Sequence, residues 1–448
     1  MRNKLAMPNG TKRTTGGAAG PFCPIGHLLF PPGYELVVGT SQIYELELAI
    51  AESRALTSLE AVLRSAYFAS VEGQKTNHFR MCTVSPLQVD KASSARRKTF
   101  FQANLFKTGY STHGLFPYRG KFHPQMIKAV INAIGMKPGD TLLDPMMGSG
   151  TACLEATLQG MNAVGIDASP FCVLMAEGKQ AGAKASVQSM RSLEKEASDI
   201  FEGFDVPEPD LPLFRWNGPK ATDSSEKKPK SNRGLDAFLR LCYLDAMGYA
   251  ARRAKKSIKE LFPVVLQRYV SAVQNFASVR DELGLELGNA TYREGNACDL
   301  KAVGVADSSI DGIVTSPPYS FAIDYLANDA PQLQYMGVTA DPLRDVMIGL
   351  RGESLKERVS NYLADMKTVL KECHRVLRSD RYAVVVVGTN SNQLKRVMGT
   401  GEDDLKMDRE TIRAADEAGF TLAYDLIHPI EGIHNTMRDE HLLFFRKT

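Results

Sequence analysis

The chain has 448 residues, 44% of them hydrophobic and 23% charged, with a formal net charge of +3 and a pI near 8.3. That length exceeds one ordinary small core and predicts one large α/β domain with an insertion or a small flanking domain. The composition is that of a globular protein, no apolar run is long enough to span a bilayer, and the weakly basic balance neither demands nor excludes nucleic acid.

In chain order, residues 1–32 read as a flexible tail. It is Gly-rich and mildly basic (Arg2, Lys4, Lys12, Arg13) and lacks the apolar stretch and cleavage site of a secretory signal. A small N-terminal α/β region is expected over 33–110. There Tyr34 to Gly39 reads as a short strand, and Ile43 to Leu63 places apolar residues at helical spacing. Gln74 to Thr108, with Lys91, Arg96, Arg97 and Lys98, is either a solvated connector or a surface that faces nucleic acid.

From Lys121 the pattern alternates: a helix over Gln125 to Ile134, a strand over Thr141 to Leu143, a glycine loop, a helix over Ala152 to Gln159, and a strand over Ala163 to Ile166. Alternation of this kind predicts a mostly parallel, doubly wound sheet with helices on both faces. Strands resume at Gly312 to Val314, Tyr382 to Val387, Thr421 to Ile427 and His441 to Phe445. The main domain is therefore expected over 111–172 and 291–448, split by a helical insertion at 173–290. Within the insertion, Trp216 to Arg233 has the composition of a mobile loop, and Leu235 to Leu283 reads as helices interrupted near Pro263. Arg252, Arg253, Lys255, Lys256 and Lys259 cluster beside Tyr243, Tyr249, Phe262 and Tyr269. Two readings remain open for them, a solvated face of an amphipathic helix pair or a surface that meets phosphates. No internal repeat is visible.

Seven cysteines with no Cys-x-x-Cys pair argue against a disulfide framework and against structural zinc, and fit a reducing cytoplasm. The eight histidines show no metal-ligand spacing, so no metal is expected. Cys153 and Cys298 read as small packing residues, and His434 and His441 as parts of a loop and of the last strand.

Two motifs carry chemistry. In Leu142-Leu-Asp-Pro-Met-Met-Gly-Ser-Gly-Thr151, Gly148 and Gly150 stand between a strand and a helix, where backbone approaches a ligand and helix N–H groups point at it. Asp167, near the end of the next strand, is spaced to bind a ribose diol. Together they specify a nucleoside-containing cofactor. Cys153, where a dinucleotide fingerprint wants Gly or Ala, disfavours a nicotinamide enzyme. Asp144 before the turn suits a cofactor with a cationic amino-acid end. The second motif, Asp311-Gly-Ile-Val-Thr-Ser-Pro-Pro-Tyr319, runs a strand into two prolines, which stiffen the loop and remove two donors. Ser316 Oγ and the Pro317 carbonyl then become acceptors that can grip the hydrogens of an exocyclic base amine and localise its lone pair. Pro318 stiffens that loop, and Tyr319 is placed to stack on a base swung out of its helix.

Taken together these residues resemble the amino-methyltransferases of DNA, the N4-cytosine and N6-adenine enzymes, over roughly His113 to Asp167 and Thr291 to Arg446. The resemblance implies a Rossmann-like fold and S-adenosyl-L-methionine as cofactor. It assigns Asp144, Pro145, Gly148, Gly150 and Thr151 to the cofactor loop, Asp167 with Ala168 to the ribose, and Ser316, Pro317, Pro318 and Tyr319 to catalysis. Gly295-Asn296-Ala297 looks like the family's Gly-Asp-Ala contact to the cofactor adenine, with Asn296 a departure. Tyr118-Arg-Gly-Lys121-Phe122-His-Pro124 is similar to the element that closes over the methionine end. Cofactor motifs before the catalytic motif resemble the arrangement with a central target-recognition region. Serine at 316 resembles the N4-cytosine subgroup.

The implied partner is DNA, with a cognate restriction nuclease as a further one and RNA as the alternative. Tyr34-Glu-Leu-Val-Val-Gly-Thr40 also looks like the opening of tRNA guanosine-N2 methyltransferases. An inactive nucleic-acid-binding homologue is a further reading, disfavoured by two intact motifs. Arg351 is either a phosphate contact or an ordinary surface arginine, and Asp324-Tyr325 either positions substrate or starts a helix. No Pro-Cys pair is present, which disfavours C5-cytosine chemistry.

Overall fold

The structure, a computed structural model, describes residues 29–84, 105–108, 110–118, 120–204, 233–252, 256–318, 324–388, 406–430 and 439–448. The chain opens with a small antiparallel sheet of β1 (Tyr34–Leu36), β2 (Phe68–Val71) and β3 (Gln74–Lys75). The helical run expected after β1 is two helices, α1 (Ile43–Ala55) and α2 (Ser58–Arg64). Thr57 makes the break. Its hydroxyl accepts from the Glu60 N–H at 3.3 Å while the Glu60 carboxylate accepts from the Thr57 N–H at 3.0 Å, a capping box that restarts a helix inside an apolar run. Beyond β3, α3 (Asn77–Val84) buries His78 and Cys82, and α4 (Leu105–Thr108) follows. Lys91, Arg96, Arg97 and Lys98 lie outside the described residues.

The main sheet has the order β6-β5-β4-β7-β8-β10-β9, formed by β4 (Thr141–Asp144), β5 (Asn162–Asp167), β6 (Ala290–Glu294), β7 (Ile310–Thr315), β8 (Leu377–Gly388), β9 (Phe420–Pro429) and β10 (Asp439–Lys447). The strands from β6 to β8 pair in parallel, and β10 is antiparallel to both of its neighbours. Alternate residues serve opposite faces. Leu142, Val384, Val386 and Leu442 join a core with α5 (Pro124–Ala133) and α6 (Thr151–Leu158). Leu143, Val385 and Leu443 join another core with α14 (Leu355–Val376) and α15 (Met407–Glu417). This is the doubly wound, Rossmann-like architecture that the alternation predicts. β6 was not among the expected strands; its sequence Ala-Thr-Tyr-Arg-Glu is polar because it is an edge strand.

The insertion consists of α7 (Pro170–Lys184) continuing into α8 (Val187–Lys195) and α9 (Ala197–Glu202), then α10 (Arg233–Arg252) and α11 (Ile258–Leu283). The interruption expected near Pro263 falls instead between α10 and α11. Ser257 caps α11 with Glu260, and burial of Phe262, Val265 and Leu266 outweighs the one hydrogen bond that Pro263 removes. Phe238, Leu241 and Leu266 share a core with Leu326 and Leu333 of α12 (Tyr325–Tyr335) and Leu343 of α13 (Ala340–Val346). The insertion is thus packed against the helices that follow the Pro-Pro loop. Among the described residues no helix is long and apolar enough to cross a membrane.

The N-terminal region shares a core with the sheet through α5, whose Ile127 is fully buried. Replacing Ile127 with alanine is expected to lower stability by about 3 kcal/mol, read as a drop in the urea midpoint, because the cavity lies between two layers that cannot both collapse into it.

Candidate active site

Strand order reverses between β4 and β7, and an open α/β sheet binds ligands outside the carboxyl ends of its strands at such a point. Both motif loops leave the sheet there. Thr315 Oγ1, at the end of β7, donates to Asp144 Oδ1, at the end of β4, over 2.8 Å. The same oxygen accepts from the Met146 N–H at 3.2 Å, while Oδ2 is buried with no hydrogen-bond partner among the described residues. Burial pushes the Asp144 carboxyl up to about 7.

The glycine loop then turns tightly. Gly148 (φ +49°) donates its N–H to Asp167 Oδ2 at 2.8 Å, and Gly150 (φ +74°) caps α6 in the left-handed region. A Cβ on Gly150 would stand 2.7 Å from the Ala176 Cβ of α7. Asp167 also accepts from the Ser169 N–H at 2.9 Å, so each of its oxygens holds one backbone donor and keeps a lone pair for a ligand. Behind the loop, the buried Lys179 Nζ donates to the Ser149 carbonyl at 3.2 Å.

These loops border an open cleft of about 820 Å³. Lys121, Phe122, Pro145, Gly148, Thr151, Asp167, Ala168, Asn296, Ala297, Ser316, Pro317 and Pro318 all line it, so residues expected in four separate stretches meet in one place. Asp144 and Gly150 support it from beneath. Lys121 Nζ donates to the His113 carbonyl at 2.8 Å, and burial lowers its ammonium to about 8. Asn296 Oδ1 accepts from the Cys298 N–H at 2.9 Å, and its amide NH2 remains a donor group.

Other expected residues lie elsewhere. Tyr319, Arg253 and Lys255 fall outside the described residues, as does the side chain of Arg252 at the end of α10. Lys256 is exposed just before α11, and Arg351 is ion-paired with Asp365 at 2.5 Å and does not line the cleft. Asp324 caps α12 and pairs with Arg344, while Tyr325 lines the cleft. Cys153 is buried, its sulfur 3.0 Å from where a Cβ on Gly165 would stand, and His441 pairs with Asp425 across β9 and β10. The wall formed by Val346, Met347 and Ile348 was not anticipated. An apolar tripeptide has no chemistry to single it out; only its place between α13 and the next turn would have drawn notice.

Residues 115–205 match the family model described as RMKL-like, methyltransferase domain. The chain is 23% identical over 338 residues to the type II methyltransferase M.BsoBI of Geobacillus stearothermophilus, covering 65% of this chain and 64% of that protein. It is 45% identical over 67 residues to the type II methyltransferase M.MjaII of Methanocaldococcus jannaschii, covering 15% of this chain and 12% of that protein. Residues 115–205 are therefore similar to a methyltransferase domain. A tRNA (guanine(10)-N2)-dimethyltransferase of Methanothermobacter thermautotrophicus matches over 52 residues at 40% identity, 12% of this chain and 16% of that protein. The chain thus spans less than two thirds of the length of each of these relatives.

The two type II relatives support the resemblance to the DNA amino-methyltransferases, which implies S-adenosylmethionine as the cofactor. The residues present fit it. A buried carboxylate oxygen without a partner at Asp144 suits a cationic group, and an acid with two free lone pairs at Asp167 suits a diol. Gly150→Ala is expected to abolish S-adenosylmethionine binding in titration calorimetry, because both the φ of 74° and the contact with Ala176 forbid a side chain there.

Proposed function

We propose that the protein methylates an exocyclic amino group in DNA, with cytosine N4 as the target, on a base swung out of the duplex into the cleft beside Ser316 to Tyr319. The observation that carries this reading is the hydrogen bond between Thr315 and Asp144, which fixes the acceptor loop next to the cofactor loop. When bound, S-adenosylmethionine supplies an electrophilic methyl group on a cationic sulfur. Asp144 Oδ2 would hold the cofactor's ammonium, Lys121 and Thr151 its carboxylate, and Asp167 its ribose. Ala168, Ala297 and the Asn296 amide would hold the adenine, with Asn296 as a donor.

Ser316 Oγ and the Pro317 carbonyl accept the two amine hydrogens, so the nitrogen lone pair is localised toward the methyl group. Pro318 keeps the loop stiff, and Tyr319 stacks on the displaced base. Arg252, Arg253, Lys255, Lys256 and Arg351 would neutralise backbone phosphates. A cognate restriction nuclease is the partner that the type II relatives suggest, and adenine N6 is the nearest alternative target. A second reading, guanosine N2 in tRNA, is favoured by the 52-residue match to a tRNA methyltransferase.

The deciding measurement supplies radiolabelled S-adenosylmethionine with duplex DNA, single-stranded DNA or total tRNA and identifies the modified nucleoside by mass spectrometry. N4-methyldeoxycytidine from DNA is expected; label recovered only from tRNA would sink the DNA reading. Ser316→Ala is expected to lower turnover by about 100-fold with cofactor affinity unchanged.

The Asp144 carboxyl adds a pH dependence. Its folded value of about 7 means that it is protonated below that pH, and a bound ammonium favours the ionised form. Cofactor affinity is therefore expected to fall by up to about tenfold per unit as pH drops below 7. Asp144→Asn would bind weakly at every pH and flatten that profile in calorimetry.

A further inference from the structure

Tyr325, the first residue of α12, lines the cleft, and the proposed mechanism does not use it. The helix end that carries it is held at two points. Asp324 accepts from the Ala327 N–H at 3.0 Å and from Arg344 at 3.0 Å, and Leu326 is buried in the core shared with the insertion. The Tyr325 hydroxyl stands 3.2 Å from where a Cβ on Gly120 would be. Gly120 (φ +72°) therefore lets the segment before α5 pass beneath the phenol with no side chain between them. No hydrogen bond engages that hydroxyl among the described residues. The other described tyrosine on the cleft differs: Tyr118 packs its ring on Gly148 and has its hydroxyl 3.5 Å from the Cys172 sulfur. Packing against Gly120 alone would be served as well by a phenylalanine at 325, so the fold gives no use for the Tyr325 O–H.

An anion supplies one. Lys121 follows Gly120 directly and also lines the cleft. Its Nζ donates to the His113 carbonyl, and no carboxylate pairs with it among the described residues. An ammonium without a counterion and an O–H without an acceptor thus adjoin one glycine. The group that complements both has negative charge and several lone pairs, as a carboxylate does. We propose that Tyr325 is a further cofactor-contacting residue, its hydroxyl donating to the carboxylate of the amino-acid end that Lys121 would hold. This rests on the cofactor site proposed above. Burial pushes the Tyr325 phenol up to about 12, so it remains a donor throughout the neutral range.

Calorimetry with S-adenosylhomocysteine and its decarboxylated analogue, which keeps the ammonium, tests this on the full chain, with thermal melting to confirm that each variant is folded. Tyr325→Phe, which keeps the ring over Gly120, is expected to weaken S-adenosylhomocysteine binding by about tenfold. Against the decarboxylated analogue the same substitution is expected to cost less than about twofold, since the acceptor is already gone. Unchanged affinity for S-adenosylhomocysteine would overturn the assignment. So would an equal loss on both ligands, which places the hydroxyl on another group or in the fold alone. Asp167→Ala separates the two levels. If it binds both ligands normally, the cofactor-site reading fails; if it loses binding while Tyr325→Phe does not, only this inference fails.

Discussion

The active cleft depends on one hydrogen bond between neighbouring strands, from Thr315 Oγ1 to Asp144 Oδ1. Both residues are the last of their strands, and both strands flank the point where the sheet reverses its order. Parallel pairing of β4 with β7 brings the two loop origins together. The bond also orients the Asp144 carboxylate. With one oxygen taken by Thr315 and the Met146 N–H, the other has no hydrogen-bond partner among the described residues. A group proposed to bind a cation is thus prepared by a group that begins the Pro-Pro loop, and the two halves of the proposed chemistry share one rigid seam.

A polar layer behind the seam keeps the glycine loop in place. Lys179 holds the Ser149 carbonyl, and the Thr112 hydroxyl donates to the Lys179 carbonyl at 2.9 Å, so the segment before α5 is tied to the helix behind the loop. Glu155, on α6, accepts from the Tyr110 hydroxyl at 2.7 Å and from His113 at 2.6 Å, while burial pushes the His113 imidazole down to about 4 and so keeps it neutral. A neutral imidazole donates one N–H to Glu155, and the His113 carbonyl takes Lys121. Buried networks of this kind reward satisfied members and penalise gaps, and here Glu155 Oε2 is buried with no partner among the described residues. They make the backbone of the cofactor loop expensive to move.

How much of this was legible follows from where chemistry concentrates. The doubly wound sheet could be read because strand and helix periods alternate around short punctuating loops, and the glycine and Pro-Pro loops stood out because Gly148 and Gly150, or Pro317 and Pro318, are unusual at strand ends. Boundaries fared less well where tertiary packing overrode local preference. α11 runs through Pro263, and Thr57 divides what periodicity joined. β6 was missed because an edge strand need not be apolar. The wall at Val346 to Ile348 escaped notice for another reason. It sits in no pattern and gains meaning only from neighbours that are distant in sequence.

The insertion shows why the polymer is harder to read than the chemistry. Its core is continuous with α12 and α13: the Tyr243 ring lies 5.1 Å from that of Tyr335, and Phe204 stacks on Tyr243 at 4.7 Å. A helical layer built this way is held by apolar contacts on its inner side, which leaves its outer side free to vary without loss of fold. Methyl transfer to an amine places tight demands on a few atoms at the strand ends, so those residues are recognisable in isolation. Contact with a phosphate backbone demands only positive charge at suitable spacing, a condition that any solvated helix face also meets. Because α12 begins just after the Pro-Pro loop and is clamped to the insertion, a nucleic acid bound on that outer side would bear directly on the helix that carries Tyr325, which lines the cleft. Recognition and the shape of the cleft would then be joined through the same packed layer.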